Sequence, residues 1–144
     1  MDNIQIESIM GLVRFGLGKV NICSLSNPDK WQELYYNAQK QGIAAILLDG
    51  INKCFERGFK IDIDFQTKME WIGLVQQMER QYQQYEKDVK DLGAFYSEHG
   101  IRMMVLKGYG LAQNYPIPSH RPCGDVDIYL FGDQENADKL LQEK

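Results

Sequence analysis

Asp125 and Asp127 are the residues best placed by type and spacing to do chemistry, because they stand two apart in Gly124-Asp125-Val126-Asp127-Ile128-Tyr129-Leu130, a stretch that otherwise reads as a strand. Side chains of an extended chain alternate sides, so Asp125, Asp127 and Tyr129 share one face while Val126, Ile128 and Leu130 share the other. The apolar face can anchor the strand while the acidic face stays open. Hard cations such as Mg2+ or Mn2+ are held by carboxylate oxygens together with substrate phosphates, and paired acids on a rigid segment supply the protein's share.

An acid-x-acid pair is a common accident in a chain with 20 Asp and Glu among 144 residues, and a second copy, Asp62-Ile63-Asp64, lies in this same sequence. Surroundings separate the two. Upstream of Asp125 an apolar, strand-like run, Ile101 to Leu106, enters Lys107-Gly108-Tyr109-Gly110, followed by a helix-like Leu111 to Tyr115 and a loop punctuated by Pro116, Pro118 and Pro122. The glycines permit close backbone approach, and a helix start offers unpaired amide hydrogens to a phosphate. Asp64, in contrast, falls just before a long helical pattern, where a carboxylate caps free amides.

The order Leu106-Lys107-Gly108, then Asp125-Val126-Asp127 beginning 17 residues after Gly108, resembles the signature of the nucleotidyltransferase superfamily that includes DNA polymerase beta. More narrowly, Leu-Lys-Gly-x-x-Leu, Tyr-Pro and Arg-Pro-x-Gly-Asp-x-Asp are similar to an uncharacterised bacterial family often called nucleotidyltransferase family 5. The likeness rests on residues 106–130. It implies transfer of a nucleoside monophosphate from a nucleoside triphosphate to an acceptor hydroxyl of unknown identity. Asp125 and Asp127 would be the catalytic, metal-holding pair, with Lys107, Gly108, Tyr109, Gly110 and Arg121 on the substrate. Tyr109 departs from the superfamily pattern, which has a small residue there, and the third carboxylate such enzymes use has no counterpart before Lys144. The chain therefore reads as the N-terminal portion of a longer enzyme, with weak or no catalysis by itself. Two other readings stay open: an inactive nucleotide-binding or regulatory module of toxin-antitoxin type, and a helical interaction protein.

Residues 1–99 read as helical and 100–144 as the start of a mixed sheet, the two packed as one α+β unit. Ile4 to Leu17 forms a first helix. Asn27-Pro28-Asp29 opens a second that Gly42 ends, and Ile43 to Phe55 forms a third closed by Gly58. Apolar residues at spacings of three and four from Phe65 to Phe95 predict one helix over 65–98. Asp133 to Lys144 reads as a last helix with Ala137, Leu140 and Leu141 on one side.

The net charge of −4 argues against extended nucleic-acid binding, leaving Arg102, Lys107 and Arg121 as local cations. No run approaches the ~18 apolar residues of a membrane span, and the N-terminus lacks a basic leader, so cytoplasmic residence is the default expectation. Three scattered cysteines exclude a full disulfide framework, and His120 with Cys123 makes at most half a zinc site. The Tyr- and Gln-rich face of the long helix is a possible surface for self-association.

Overall fold

The computed structural model describes residues 3–19 and 30–142. The described residues form α1 (Asn3–Gly16), α2 (Trp31–Lys40), α3 (Ala44–Glu56), α4 (Phe65–Glu98), β1 (Met104–Val105), α5 (Lys107–Ala112), a 3-10 turn (Pro118–His120), β2 (Ile128–Tyr129) and α6 (Gln134–Gln142). Mostly helical with a small antiparallel sheet, the chain is α+β as its sequence pattern implies. The expected opening of the second helix at Asn27-Pro28-Asp29 lies outside the described residues.

One core belongs to the first four helices. Leu12 and Phe15 of α1, Leu34 and Ala38 of α2, Leu47, Ile51 and Cys54 of α3, and Trp71 and Val75 of α4 are buried together. Two glycines let α1 and α3 meet backbone to backbone: a Cβ on Gly16 would collide with the Ile46 carbonyl, and one on Gly50 with the Leu12 carbonyl. Trp71 is fully buried and donates its indole N–H to the Ala44 carbonyl at 2.7 Å, so the apolar ring is buried without orphaning its one polar atom. That bond fixes α4 against the start of α3.

Helix α4 is the frame of the molecule. Its 34 residues span about 50 Å at ~1.5 Å per residue, and its bounds are those the apolar spacing predicts. The Asp64 carboxylate accepts from the Thr67 amide at 2.8 Å, and these bonds to free N-terminal amides hold its pKa below the usual carboxylate range. The second copy of the acid pair is therefore a turn and helix cap, and Ile43 to Leu48 is helix rather than strand.

The C-terminal end of α4 enters a second, smaller core in which Tyr96, Ile101, Leu130 and Ala137 are buried, with Phe95, Ile128 and Leu140 against them. Here β1 and β2 pair antiparallel, Met104 opposite Tyr129 and Val105 opposite Ile128. The strands are shorter than the apolar runs suggest, since β1 gives way at Lys107 to a glycine-kinked turn and leaves no partner for a longer ladder. Helix α6 presents Ala137 and Leu140 to the core, while Leu141, expected beside them, is 43% exposed. One long helix thus joins two cores, and its middle turns face the segment between α5 and β2.

Candidate functional site

The glycine turn and the acidic segment, far apart in sequence, lie side by side. The Leu106 amide donates to the Asp127 carbonyl at 2.8 Å, continuing the β1–β2 register by one bond. Lys107 Nζ stands 3.1 Å from the Asp127 carboxylate. A charge pair this exposed on the lysine side contributes little to stability. Its importance is placement: the cation sits beside the second acid of the pair.

Asp125 and Asp127 precede the paired part of β2 instead of lying within it, in extended chain where Asp125 is exposed and Asp127 half-buried. Alternation still holds on the other face, where Ile128 and Leu130 reach the second core. Tyr129 is exposed and stacks at a tilt on Phe131 rather than packing on a helix.

Gly108 is the pivot. Its φ of 37° and ψ of −106° interrupt α5, so the expected order of glycine turn and then helix becomes a helix kinked at the glycine itself. A Cβ there would stand 2.8 Å from the Asp125 carbonyl and 3.1 Å from Cys123 Sγ, closer than real side chains sit. Glycine is needed because the acidic segment passes directly over the turn. Arg121 secures the same crossing from the other side, Nη1 donating to the Gly108 carbonyl at 2.9 Å and to the Pro122 carbonyl at 3.2 Å. It bridges backbone and does not bridge the acids. The Cys123 thiol donates to the Asp125 carbonyl at 3.0 Å.

Helix α4 supplies a layer that local sequence reading did not assign. Tyr82 stacks on Tyr109 with ring centroids 5.3 Å apart, and Gln113 donates to the Tyr82 hydroxyl at 2.6 Å. Burial, then the bond with Tyr82, pushes the Tyr109 phenol up to about 12, so it stays protonated. Tyr85 donates to the Gly124 carbonyl at 3.0 Å. Tyr109 is thereby explained: it ties the turn to α4.

The loop between α5 and the acids is anchored by His120, which is buried. Its Nδ1 lies 2.7 Å from Asp49 of α3 and its Nε2 3.0 Å from Glu79 of α4. With a carboxylate on each ring nitrogen, the imidazolium is the form that satisfies both contacts. Burial pulls its pKa down, but the bonds to Asp49 and Glu79 outweigh it and raise it above the ordinary histidine value. The sequence does carry a signal for this clamp: Asp49 is a lone acid in the apolar run 43–51, where an unpaired charge would be costly.

Whether the acids fit a metal is a question of donor chemistry. Two carboxylates spaced by one residue on extended chain, open on the solvent side, suit a hard cation that takes further oxygens from phosphate and water. Among the described residues no three His, Cys, Asp or Glu side chains gather as a ready-made metal cluster. No helix among them is long and apolar enough to cross a membrane.

A family model described as uncharacterised nucleotidyltransferase matches residues 27–144. The chain belongs to this nucleotidyltransferase family. The match takes in helices α2 to α4 as well as the glycine turn and the acids. No curated protein and no solved structure matches the chain significantly.

Proposed function

We propose that the protein binds a nucleoside triphosphate with Mg2+ or Mn2+ at Asp125 and Asp127 and transfers its nucleoside monophosphate to an acceptor hydroxyl. The observation that carries this reading is the crossing of the acidic segment over the Gly108 turn, with Lys107 3.1 Å from Asp127. A cation and two carboxylates meet beside a backbone turn at one surface, as a metal-bound triphosphate requires.

In the transfer, the acceptor oxygen bonds the α-phosphorus as it loses its proton to solvent water, the bond to the β-phosphate breaks, and pyrophosphate leaves. A divalent ion held by Asp125 and Asp127 supplies charge neutralisation on the phosphate oxygens. The chain's own residues position the substrate. The backbone of the turn at Gly108 to Gly110, packed against the acidic segment and Val105, borders the phosphates beside the acids. Lys107, exposed and flexible, exchanges its carboxylate partner for a phosphate at little cost. Arg121 holds the turn against the Pro122 segment, and its guanidinium adds positive charge beside the phosphates. His120 keeps that loop docked on α3 and α4, so the crossing is fixed before substrate arrives.

Calorimetric titration of Mg2+ and nucleoside triphosphates, with pyrophosphate release measured alongside, tests the reading. Wild type is expected to bind in a metal-dependent way and the Asp125→Ala, Asp127→Ala double variant to bind at least ~100-fold more weakly, a loss of about 2.7 kcal/mol. Equal binding by both proteins sinks the metal site. Metal-dependent binding without pyrophosphate release leaves a nucleotide-binding module.

A further inference from the structure

Beside the phosphate turn, between α4, the α2–α3 junction and the Ser119–Cys123 segment, lies a pocket of about 160 Å³. Leu74 and Met78 form an apolar floor, and the rings of Tyr82 and Tyr85 form a wall. Both hydroxyls are already committed, Tyr82 to Gln113 and Tyr85 to Gly124. With the hydroxyls engaged and Tyr82 stacked on Tyr109, what the two residues offer the pocket is aromatic carbon surface, which suits a planar ring. Gln39 and Ser119 add a carboxamide and a hydroxyl at the edge. A carboxamide carries two donors and an acceptor and can pair with the edge of a nucleobase.

The pocket adjoins the proposed phosphate turn through two lining residues that also neighbour Gly108. Arg121 lines it and bonds the Gly108 carbonyl at 2.9 Å. Cys123 lines it too, with Sγ 3.1 Å from where a Gly108 Cβ would stand. A ligand with phosphates on the turn has its remaining atoms directed to this side or to solvent.

We infer that this pocket takes the base of the nucleoside triphosphate and that its size selects a pyrimidine over a purine. An apolar cavity of ~150 Å³ holds one benzene ring, so the space here covers about one six-membered ring and a fused pair would project from its mouth. The inference rests on the phosphate reading above and adds the substrate class.

The test is calorimetry of the Mg2+ complexes of UTP, CTP, ATP and GTP, with inorganic tripolyphosphate as a base-free probe, on wild type, Ser119→Phe and Gln39→Ala. UTP and CTP are expected to bind about tenfold more tightly than ATP and GTP. Filling the pocket with Ser119→Phe should reduce pyrimidine affinity to the tripolyphosphate level, leaving tripolyphosphate binding unchanged. Gln39→Ala, a change at an exposed helix position, should narrow the preference without affecting the fold. Equal affinities for all four, insensitive to both variants while tripolyphosphate still binds, overturn the base pocket and leave the phosphate site standing. Failure of tripolyphosphate and every triphosphate to bind, or binding indifferent to Asp125→Ala, Asp127→Ala, overturns the phosphate reading and this inference with it.

Discussion

Asp62-Ile63-Asp64 and Asp125-Val126-Asp127 are spelled alike and used differently. In the first, Asp64 turns its carboxylate onto the opening amides of α4 and the pair serves a helix terminus. In the second, the backbone takes up the structural role: Asp127 offers its carbonyl to Leu106, and Asp125 presents its own to the space above Gly108 and to Cys123. The side chains of the second pair are left to solvent and to one exposed cation, Lys107. An acid pair becomes a candidate site when its main chain is held by neighbours and its carboxylates are not consumed by the fold.

That contrast can be broken most severely at Gly108. Gly108→Ala is expected to cost about 2–3 kcal/mol, from a left-handed, non-helical backbone and the clash with the Asp125 carbonyl, and to weaken triphosphate binding with it. Denaturant unfolding and calorimetry read the two effects. Its counterparts near the first pair, at Asp62 and Ile63, should show no such coupling of stability to binding.

His120→Leu comes next. Removing the imidazolium leaves Asp49 and Glu79 facing each other without a cation, a loss of about 2 kcal/mol. The clamp also gives a pH signature. A histidine pKa raised on folding stabilises fully below the unfolded value of ~6.5, and that stabilisation is lost as pH rises through the higher folded value. The difference in Tm between wild type and His120→Leu should therefore shrink from pH 6 toward alkaline pH.

Asp64→Ala should have a smaller effect, seen as faster amide exchange in the first turn of α4 and a modest fall in Tm, with triphosphate binding unaltered. Since its pKa is lowered on folding, the cap contributes above the unfolded carboxylate value and is lost as pH falls through the folded one. Lys107→Ala should change stability least, by under ~0.5 kcal/mol as expected for an exposed pair, yet weaken triphosphate binding. A side chain that matters to binding and not to folding is the mark of the second pair's environment.

What was legible in the sequence followed the range of the forces involved. Helix α4 and its Asp64 cap could be read to the residue because periodicity and capping are local. So could the pairing of a glycine turn with the acids, through the resemblance its motif carries. The strand-like composition of Ile101 to Leu106 and Gly124 to Leu130 overstates the sheet, since only two residues of each find a partner. For the His120 clamp the sequence holds one half of the signal, Asp49 alone in its apolar run, but the partners lie 71 and 41 residues from His120, and only the helix packing brings them together. Tyr109 looked like a departure from a motif until α4 placed Tyr82 against it.

The most direct test of the contrast is one calorimetric titration of Mg2+-nucleoside triphosphate into three proteins: wild type, Asp62→Asn with Asp64→Asn, and Asp125→Asn with Asp127→Asn. The account predicts wild-type affinity for the first double variant and at least ~100-fold weaker binding for the second. Equal affinities in all three proteins, or a larger loss at 62 and 64, would contradict it.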